Sequence, residues 1–172
     1  MSADVVVSRR IAAPPETVWA LLADLSRMPE WSPENERVEW LGGATQAASG
    51  ARFRGTNRNG TKSWKSVGEV TDCEPARRLA FGIKTGPFRI AEWTYTVEPN
   101  PEGCLVTEGW TDRRNALIQT LSKHVTGVHD RPTHNRRGME ETLRRLAVTA
   151  ERNGTGCVAT RVAARAPSPD LP

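Results

Sequence analysis

The chain is short of the features that would staple, anchor or arm it through a familiar motif. Its 172 residues include three cysteines, Cys73, Cys104 and Cys157. That is an odd set without CxxC or zinc spacing, which argues against a disulfide framework. No apolar run approaches the roughly 20 residues that a membrane helix needs. The N-terminus, with Asp4, Arg9 and Arg10, builds no secretory apolar core. The expectation is a cytoplasmic protein in a reducing setting, with no integral membrane segment. There is no GxSxG elbow, no glycine-rich phosphate loop and no cysteine motif facing a histidine, so nucleophilic and nucleotide chemistry lack support. The histidines His124, His129 and His134 recur every five residues. On a helix that spacing turns successive side chains about 140° apart, unlike the i, i+4 pair of helical zinc sites. Neither a metal nor a cofactor is expected.

Charge of one sign is also not concentrated. The net charge is +4, but basic residues alternate with acidic ones along the chain, whereas a nucleic-acid surface needs a stripe. Near the end, Glu140–Arg144 and Glu141–Arg145 stand at i, i+4 with the acid first, the mark of a solvated, self-paired helix face. Nucleic acid is not an expected partner.

What is present is an ordered series of periodic segments, long enough for one domain with its own core. Val5–Ile11 reads as a first strand. Pro14 and Pro15 suit a helix's first turn, where a missing N–H costs nothing, and Glu16 complements the helix dipole. Val18, Leu21, Leu22 and Leu25 form its apolar stripe. A second short helix runs from Asp24 to Trp31, broken around Pro29. Six strand-like segments follow, at residues 38–41, 51–58, 62–73, 79–83, 88–97 and 104–111. Gly42-Gly43, the hairpin signal Asn59-Gly60, Pro75, Gly86-Pro87 and the 99–103 loop punctuate them. Short turns between sequential strands favour an antiparallel meander. Residues 116–128 suit a short helix or a lid-like loop.

A long helix spans Thr133 to Arg152, with Met139, Leu143, Leu146, Ala147 and Ala150 on one face and Asn153-Gly154 as its stop. At about 1.5 Å per residue it would run roughly 28 Å, enough to cross a sheet. The domain is therefore placed at residues 1–153. Residues 154–172, poor in large apolar side chains and ending in PSPDLP, are expected to form a disordered tail. A sheet wrapped around one helix leaves a cavity, and the order of elements points to an apolar ligand.

Five stretches carry a family resemblance in the right order: VWALLADLSRMPEW, GARFRGTNRNG, VGEVTDCEPARRLAF, AEWTYTVEPNPEGCLVTEGW and GMEETLRRLA. Together they resemble the START-like helix-grip superfamily, also called SRPBCC, and within it the polyketide cyclase/dehydrase-like group. The resemblance covers roughly residues 5–151. It implies an α+β helix-grip fold: a seven-stranded antiparallel sheet around the C-terminal helix, with a tunnel between sheet, helix and loops. It does not imply one function, because members bind lipids, steroids, hormones or polyketides and only some catalyse.

Strand alternation predicts the inward face, on the condition that no strand slips by one residue. Phe53 and Asn57 point in from one strand, Trp64 and Val70 from the next. Trp93, Tyr95 and Val97, then Val106, Glu108 and Trp110, follow from the last two. The long helix would add Asn135, Met139 and Leu143. An aromatic lining with a few polar groups suits a small-molecule pocket, although any one of these aromatics can equally serve as core. Glu108 is the sharpest candidate. A carboxylate on an apolar face needs a partner or a raised pKa, which suits a general acid or base. The alternative is a structural hydrogen bond to Asn57, Tyr95 or an arginine. Tyr95 could donate to a carbonyl or enolate oxygen, and His129, beside Asp130 at the cavity mouth, could move a proton. The sequence 112–114, Asp-Arg-Arg, suits an anion grip or a plain surface turn.

Two function classes follow. One is a cofactor-free polyketide cyclase, aromatase or dehydratase, lyase- or isomerase-like, in which the cavity orients the chain and excludes water while Glu108, Tyr95 or His129 transfer protons. The other is a non-catalytic binding or carrier protein for a lipid, steroid or related hydrophobe. The partner in both is a small hydrophobic molecule, and a homodimer is left open.

Overall fold

A computed structural model describes residues 3–163 of the chain, and side chains as far as residue 153. In order, the elements are β1 (Val5–Ile11), α1 (Pro15–Leu22), a short 3-10 helix (Leu25–Glu30), β2 (Asn35–Leu41), β3 (Arg52–Asn59), β4 (Lys62–Glu74), β5 (Arg78–Thr85), β6 (Phe88–Asn100), β7 (Gly103–Asp112), α2 (Ala116–Thr126) and α3 (Arg131–Ala163). The seven strands form one sheet in the order β1-β7-β6-β5-β4-β3-β2. Every neighbouring pair is antiparallel. From β2 to β7 the chain is a meander, and β1 closes onto β7 at the far edge. This is the α+β helix-grip arrangement that the resemblance implies.

Local chemistry sets the boundaries. Pro14 caps α1 and Pro15 opens it, with Glu16 in the first turn. Asp24 caps the 3-10 helix by accepting a hydrogen bond from Ser26 N at 3.1 Å. Pro29 sits inside that helix, whose two short turns tolerate a residue without an N–H better than a longer α-helix would. Gly60 turns the β3–β4 hairpin with φ 56°, a conformation that costs glycine little. Asn115 caps α2 through its side chain, accepting from Ile118 N at 2.9 Å. Gly127, at φ 70°, ends it in the left-handed conformation. Asp130 opens α3 by accepting from Thr133 N at 3.1 Å.

The helix boundary differs from the sequence expectation. Backbone helix continues past Asn153-Gly154 to Ala163, because an internal glycine costs a helix only about 1 kcal/mol and need not stop it. The backbone of residues 154–163 is thus helical, and residues 164–172 of the expected tail lie outside the described residues. Cys73 and Cys104 are free thiols. No helix among the described residues is long and apolar enough to cross a membrane.

The core lies between the concave face of the sheet, α1 and the middle of α3. Val18, Leu21, Leu22 and Leu25 are all buried, as are Met139, Leu143, Leu146, Ala147 and Ala150 of α3. Sheet residues Phe53, Val70, Leu79, Phe81, Val97 and Val106 meet them. Burying a leucine of this kind contributes roughly 1.5–3 kcal/mol. Leu143, fully buried, should therefore lose about 2–5 kcal/mol as Leu143→Ala. Leu143→Asp should lose more, because it adds an unpaired charge. Thermal melts of both variants check this, and a wild-type melting temperature for Leu143→Asp would remove α3 from the core.

Candidate functional site

The sheet's concave face is longer than the packed stretch of α3. Beyond that stretch the two separate around a cavity of about 470 Å³, within the size range of small-molecule sites. Alternation along the strands decides what faces it. Phe53, Gly55 and Asn57 line it from β3, Trp64 and Ser66 from β4, Phe81 and Ile83 from β5, Ala91, Trp93 and Tyr95 from β6, and Glu108 and Trp110 from β7. No strand has slipped: Trp93 pairs with Trp110 and Tyr95 with Glu108 across β6 and β7. From α3 come Arg131, His134, Asn135, Gly138, Met139 and Thr142, the i, i+3, i+4, i+7, i+8 recurrence of one helix face.

Of the residues singled out from sequence, the structure brings together Glu108, Tyr95, Phe53, Asn57, Trp64, Trp93, Trp110, Asn135 and Met139. Five are not in the lining: Val70, Val97 and Val106 are buried in the packed core instead, and Leu143 and His129 lie elsewhere. Leu143 lies one turn beyond Met139, where the helix has already entered the packed core. His129 is exposed on the link between α2 and α3. Its neighbour Asp130 is engaged as the cap of α3, so the helix begins after His129 and presents His134 to the cavity instead. The histidines lie on α2, the link and α3. Among the described residues, no group of three His, Cys, Asp or Glu side chains is close enough to hold a metal.

The aromatic wall consists of two groups of rings in contact. Phe53 meets Trp40 edge-on at 6.0 Å and Phe81 at 5.4 Å between ring centroids. Phe81 lies 6.4 Å from Tyr95, and Trp93 lies 6.5 Å from Trp110. Gly68 makes room for this wall: a Cβ there would stand 2.1 Å from Phe53 Cζ, so only glycine lets the ring lie flat against β4.

One polar pair interrupts the wall. The Tyr95 hydroxyl donates to Glu108 Oε1 at 2.8 Å. Glu108 Oε2 is buried and has no hydrogen-bond partner among the described residues. Burial pushes the Glu108 carboxyl up to about 8, and the bond from Tyr95 offsets only part of that rise. Burial, reinforced by the nearby Glu108, holds the Tyr95 hydroxyl well above its ordinary range. Near neutral pH both groups are therefore protonated. Because Tyr95 occupies Oε1, the acid proton belongs on Oε2, which no other side chain among the described residues engages.

A second polar group lies on the β2–β3 side. Asn35 donates to Asn57 Oδ1 at 3.2 Å, and Asn57 donates to Ser66 Oγ at 3.3 Å. Glu34 accepts from Arg131 Nη1 at 2.9 Å and lies 2.8 Å from His134 Nε2. This ties the start of α3 to the chain entering β2, while the Arg131 guanidinium stacks 5.7 Å from the Trp64 ring. Arg114 is bidentate to Asp112, at 2.8 and 2.6 Å, and donates to Ser122 Oγ at 2.6 Å. Burial pushes the Asp112 carboxyl up, but these bonds from Arg114 more than offset it and hold the group low. Of the two roles open to the 112–114 sequence, the pairing makes Arg114 a fastener of α2 rather than a free anion grip.

Sequence reasoning missed Phe81 and Ile83, which the same alternation on β5 would have found. It also missed Glu34, which no periodicity marks, and Arg131 and the α2 side chains, which helical recurrence would have placed on one face but not at this cavity.

Glu108 makes stability pH-dependent in a definite sense. In the unfolded chain it ionises near its ordinary value, while in the fold it stays protonated up to about 8. Between those values the folded state binds the extra proton, so stability falls as pH rises, then levels off above 8. Glu108→Gln keeps the acceptor for Tyr95 but removes the titration. The variant should gain on wild type across that window, by an amount on the order of a few kcal/mol. Denaturant melts at pH 5, 7 and 9 (roughly, spanning the window) check this, and a constant difference would mean that Glu108 does not titrate as a buried acid.

Comparison with known proteins agrees with this geometry. The family profile described as polyketide cyclase/dehydrase and lipid transport matches residues 2–151. A curated protein of Streptomyces cyaneus, named "Putative polyketide cyclase", is 36% identical over 97 residues, covering 54% of this chain. The match spans 61% of that relative's length. Protein CV1439 from Chromobacterium violaceum superposes with a TM-score of 0.65 at 17% identity, over 86% of this chain and 96% of that one. The di-domain ARO/CYC StfQ of the steffimycin biosynthetic pathway gives 0.66 at 13% identity, over 87% of this chain and 50% of that one. The AHSA1-like protein from Aeromonas hydrophila gives 0.59 at 18%, over 87% and 93%. At these identities the solved structures speak for the fold alone. The family profile covers most of the chain, and the protein belongs to the polyketide cyclase/dehydrase and lipid transport family.

Proposed function

We propose that the protein binds a hydrophobic, oxygen-bearing, polyketide-like molecule in this cavity and acts on it as a cofactor-free cyclase, aromatase or dehydratase. The observation that carries the reading is the buried Glu108 carboxyl, which lines a cavity walled by aromatics and whose Oε2 has no hydrogen-bond partner among the described residues. An unsatisfied buried acid costs about 1–3 kcal/mol, a cost that a ligand carbonyl or hydroxyl would relieve. The naming of the Streptomyces relative supports the same class of substrate.

The chemistry closes on one carboxyl group. In a dehydration, Oε2–H gives its proton to the departing hydroxyl as the C–O bond breaks. The resulting carboxylate then takes the proton from the adjacent α-carbon, the C=C bond forms, water leaves and the acid is restored. In an aldol ring closure, Oε2–H protonates the carbonyl oxygen as the new C–C bond forms, and the carboxylate recovers the enol proton. Tyr95 stabilises the carboxylate between these transfers by its hydrogen bond to Oε1. Phe53, Phe81, Trp93 and Trp110 hold the chain folded and exclude water. Asn57 and Ser66 lie where a second ligand oxygen would be received.

Titration with an anthraquinone should change tryptophan emission saturably, because Trp64, Trp93 and Trp110 all line the cavity. Trp93→Phe should reduce the change. The absence of any response up to the probe's solubility limit would count against ligand binding of either kind.

Turnover separates enzyme from carrier. On a poly-β-ketone substrate, Glu108→Gln should bind with near wild-type affinity while turnover falls by roughly 10²–10⁴. Wild-type activity should fall as pH rises through about 8, where Glu108 loses its proton. A carrier would show saturable binding, no turnover in wild type and only a change of affinity in the variant. Full activity in Glu108→Gln would transfer the proton work to Tyr95 or to the substrate itself.

A further inference from the structure

The cavity mouth is framed by three segments: the β3–β4 hairpin (58–66), the β5–β6 hairpin (83–90) and α2 (116–126). Each contributes side chains to the lining. The rim is apolar where it meets solvent, with Leu121, Val125 and Phe88 at the edge of the lining and Leu117 outside it. Leu117, Leu121 and Val125 recur at i, i+4 and i+8 on α2 with exposures of 75%, 57% and 46%, and Phe88 at the tip of the β5–β6 hairpin is 47% exposed. These are among the few large apolar side chains left exposed in the described residues, and they gather at one opening. Contiguous exposed apolar surface of this kind marks an interaction site.

The charge carried by the three segments themselves is of one sign. The three segments hold six Lys and Arg residues and no Asp or Glu. Arg58 pairs with Glu36 and Lys84 with Glu69. Lys62, Lys65, Arg89 and Lys123 are exposed, and among the described residues none of them is in an ion pair. Lys62 lies beside the end of α2, its Cγ 3.5 Å from where a Gly127 Cβ would stand. Elsewhere the chain does pair its charges, as Glu141 does with Arg144 and Arg145.

We propose that this mouth docks on an anionic phospholipid bilayer, with Leu117, Leu121, Val125 and Phe88 inserted among the acyl chains and the four free cations on the headgroups. An apolar face bordered by cations is the pattern of an interfacial helix. Protruding side chains on a helix face and a hairpin tip suit a fluid layer that closes around them. Lysine, a compact charge on a flexible stem, suits headgroups that need no fixed geometry. Seated there, the cavity opens directly onto the acyl layer, so a hydrophobic ligand enters or leaves without crossing water. The docking is independent of whether the cavity catalyses.

The test is sedimentation of the full chain with vesicles, without cavity ligand. Phosphatidylcholine vesicles containing phosphatidylglycerol should bind the protein, and phosphatidylcholine alone should bind it far less. Added salt should release it. Leu117→Glu should weaken binding more than about tenfold, by losing an inserted side chain and adding a like charge. The triple variant Lys62→Gln, Arg89→Gln, Lys123→Gln should weaken it by about a hundredfold, taking roughly fivefold per cation. None of these four residues lines the cavity, so the anthraquinone titration should be unchanged in both variants. Equal binding of wild type and both variants, or no binding to anionic vesicles, overturns the proposal. Capture of the wild type by an acidic protein without vesicle binding also overturns it, whatever the cavity titration shows.

Discussion

The structure depends on a mismatch of length between the concave sheet face and the helix that packs in it. From Leu143 onward α3 presents leucine and alanine, which close tightly against the sheet and α1. From Arg131 to Thr142 the same face presents arginine, histidine, asparagine, glycine, methionine and threonine. These side chains do not fill the space opposite Phe53, Phe81, Trp93 and Trp110. One helix thus fastens the fold at one end and roofs a cavity at the other. The packed end supplies the stability that the open end does without.

Within that cavity a single carboxyl group sets the electrostatics. Glu108 has no cation facing it, only the hydroxyl of Tyr95. A guanidinium in place of that tyrosine would hold it ionised, and solvent would let it titrate in the usual carboxylate range. Of the charges that approach the cavity, Lys65 is exposed, while Arg131 is engaged with Glu34 and Arg114 with Asp112. Paired in this way, they fasten the start of α3 and the start of α2 around the opening while leaving the interior nearly neutral. A neutral interior with one polarised acid suits an uncharged, oxygen-bearing ligand.

Much of this was legible in the order of residues. Alternation placed Trp93 and Tyr95 on one face of β6, and Glu108 and Trp110 on the same face of β7, because strand geometry allows a side chain only two directions. Proline and glycine signals marked the turns with small errors at the ends. The long helix was legible for its apolar stripe. Asn153-Gly154, however, read as a stop although the helix continues, since propensity at one glycine is weak against an otherwise helical run. His129 was attractive for its neighbour Asp130, but that carboxylate serves the helix backbone, and the turn it starts brings in His134 instead.

The sequence by itself determined the strand faces, the turns and the residues able to form an aromatic wall with an acid in it, because these follow from periods of two and 3.6 along a local chain. Tertiary structure alone decided which partner Glu108 has, that Oε2 is left free, and that Leu143 is core while Met139 is lining. It also brought Glu34 to Arg131 and His134, and three acid-free segments to one mouth. Those facts depend on the curvature of the sheet and on where α3 crosses it. Both arise from contacts between residues as many as 139 positions apart, over which no local period carries information.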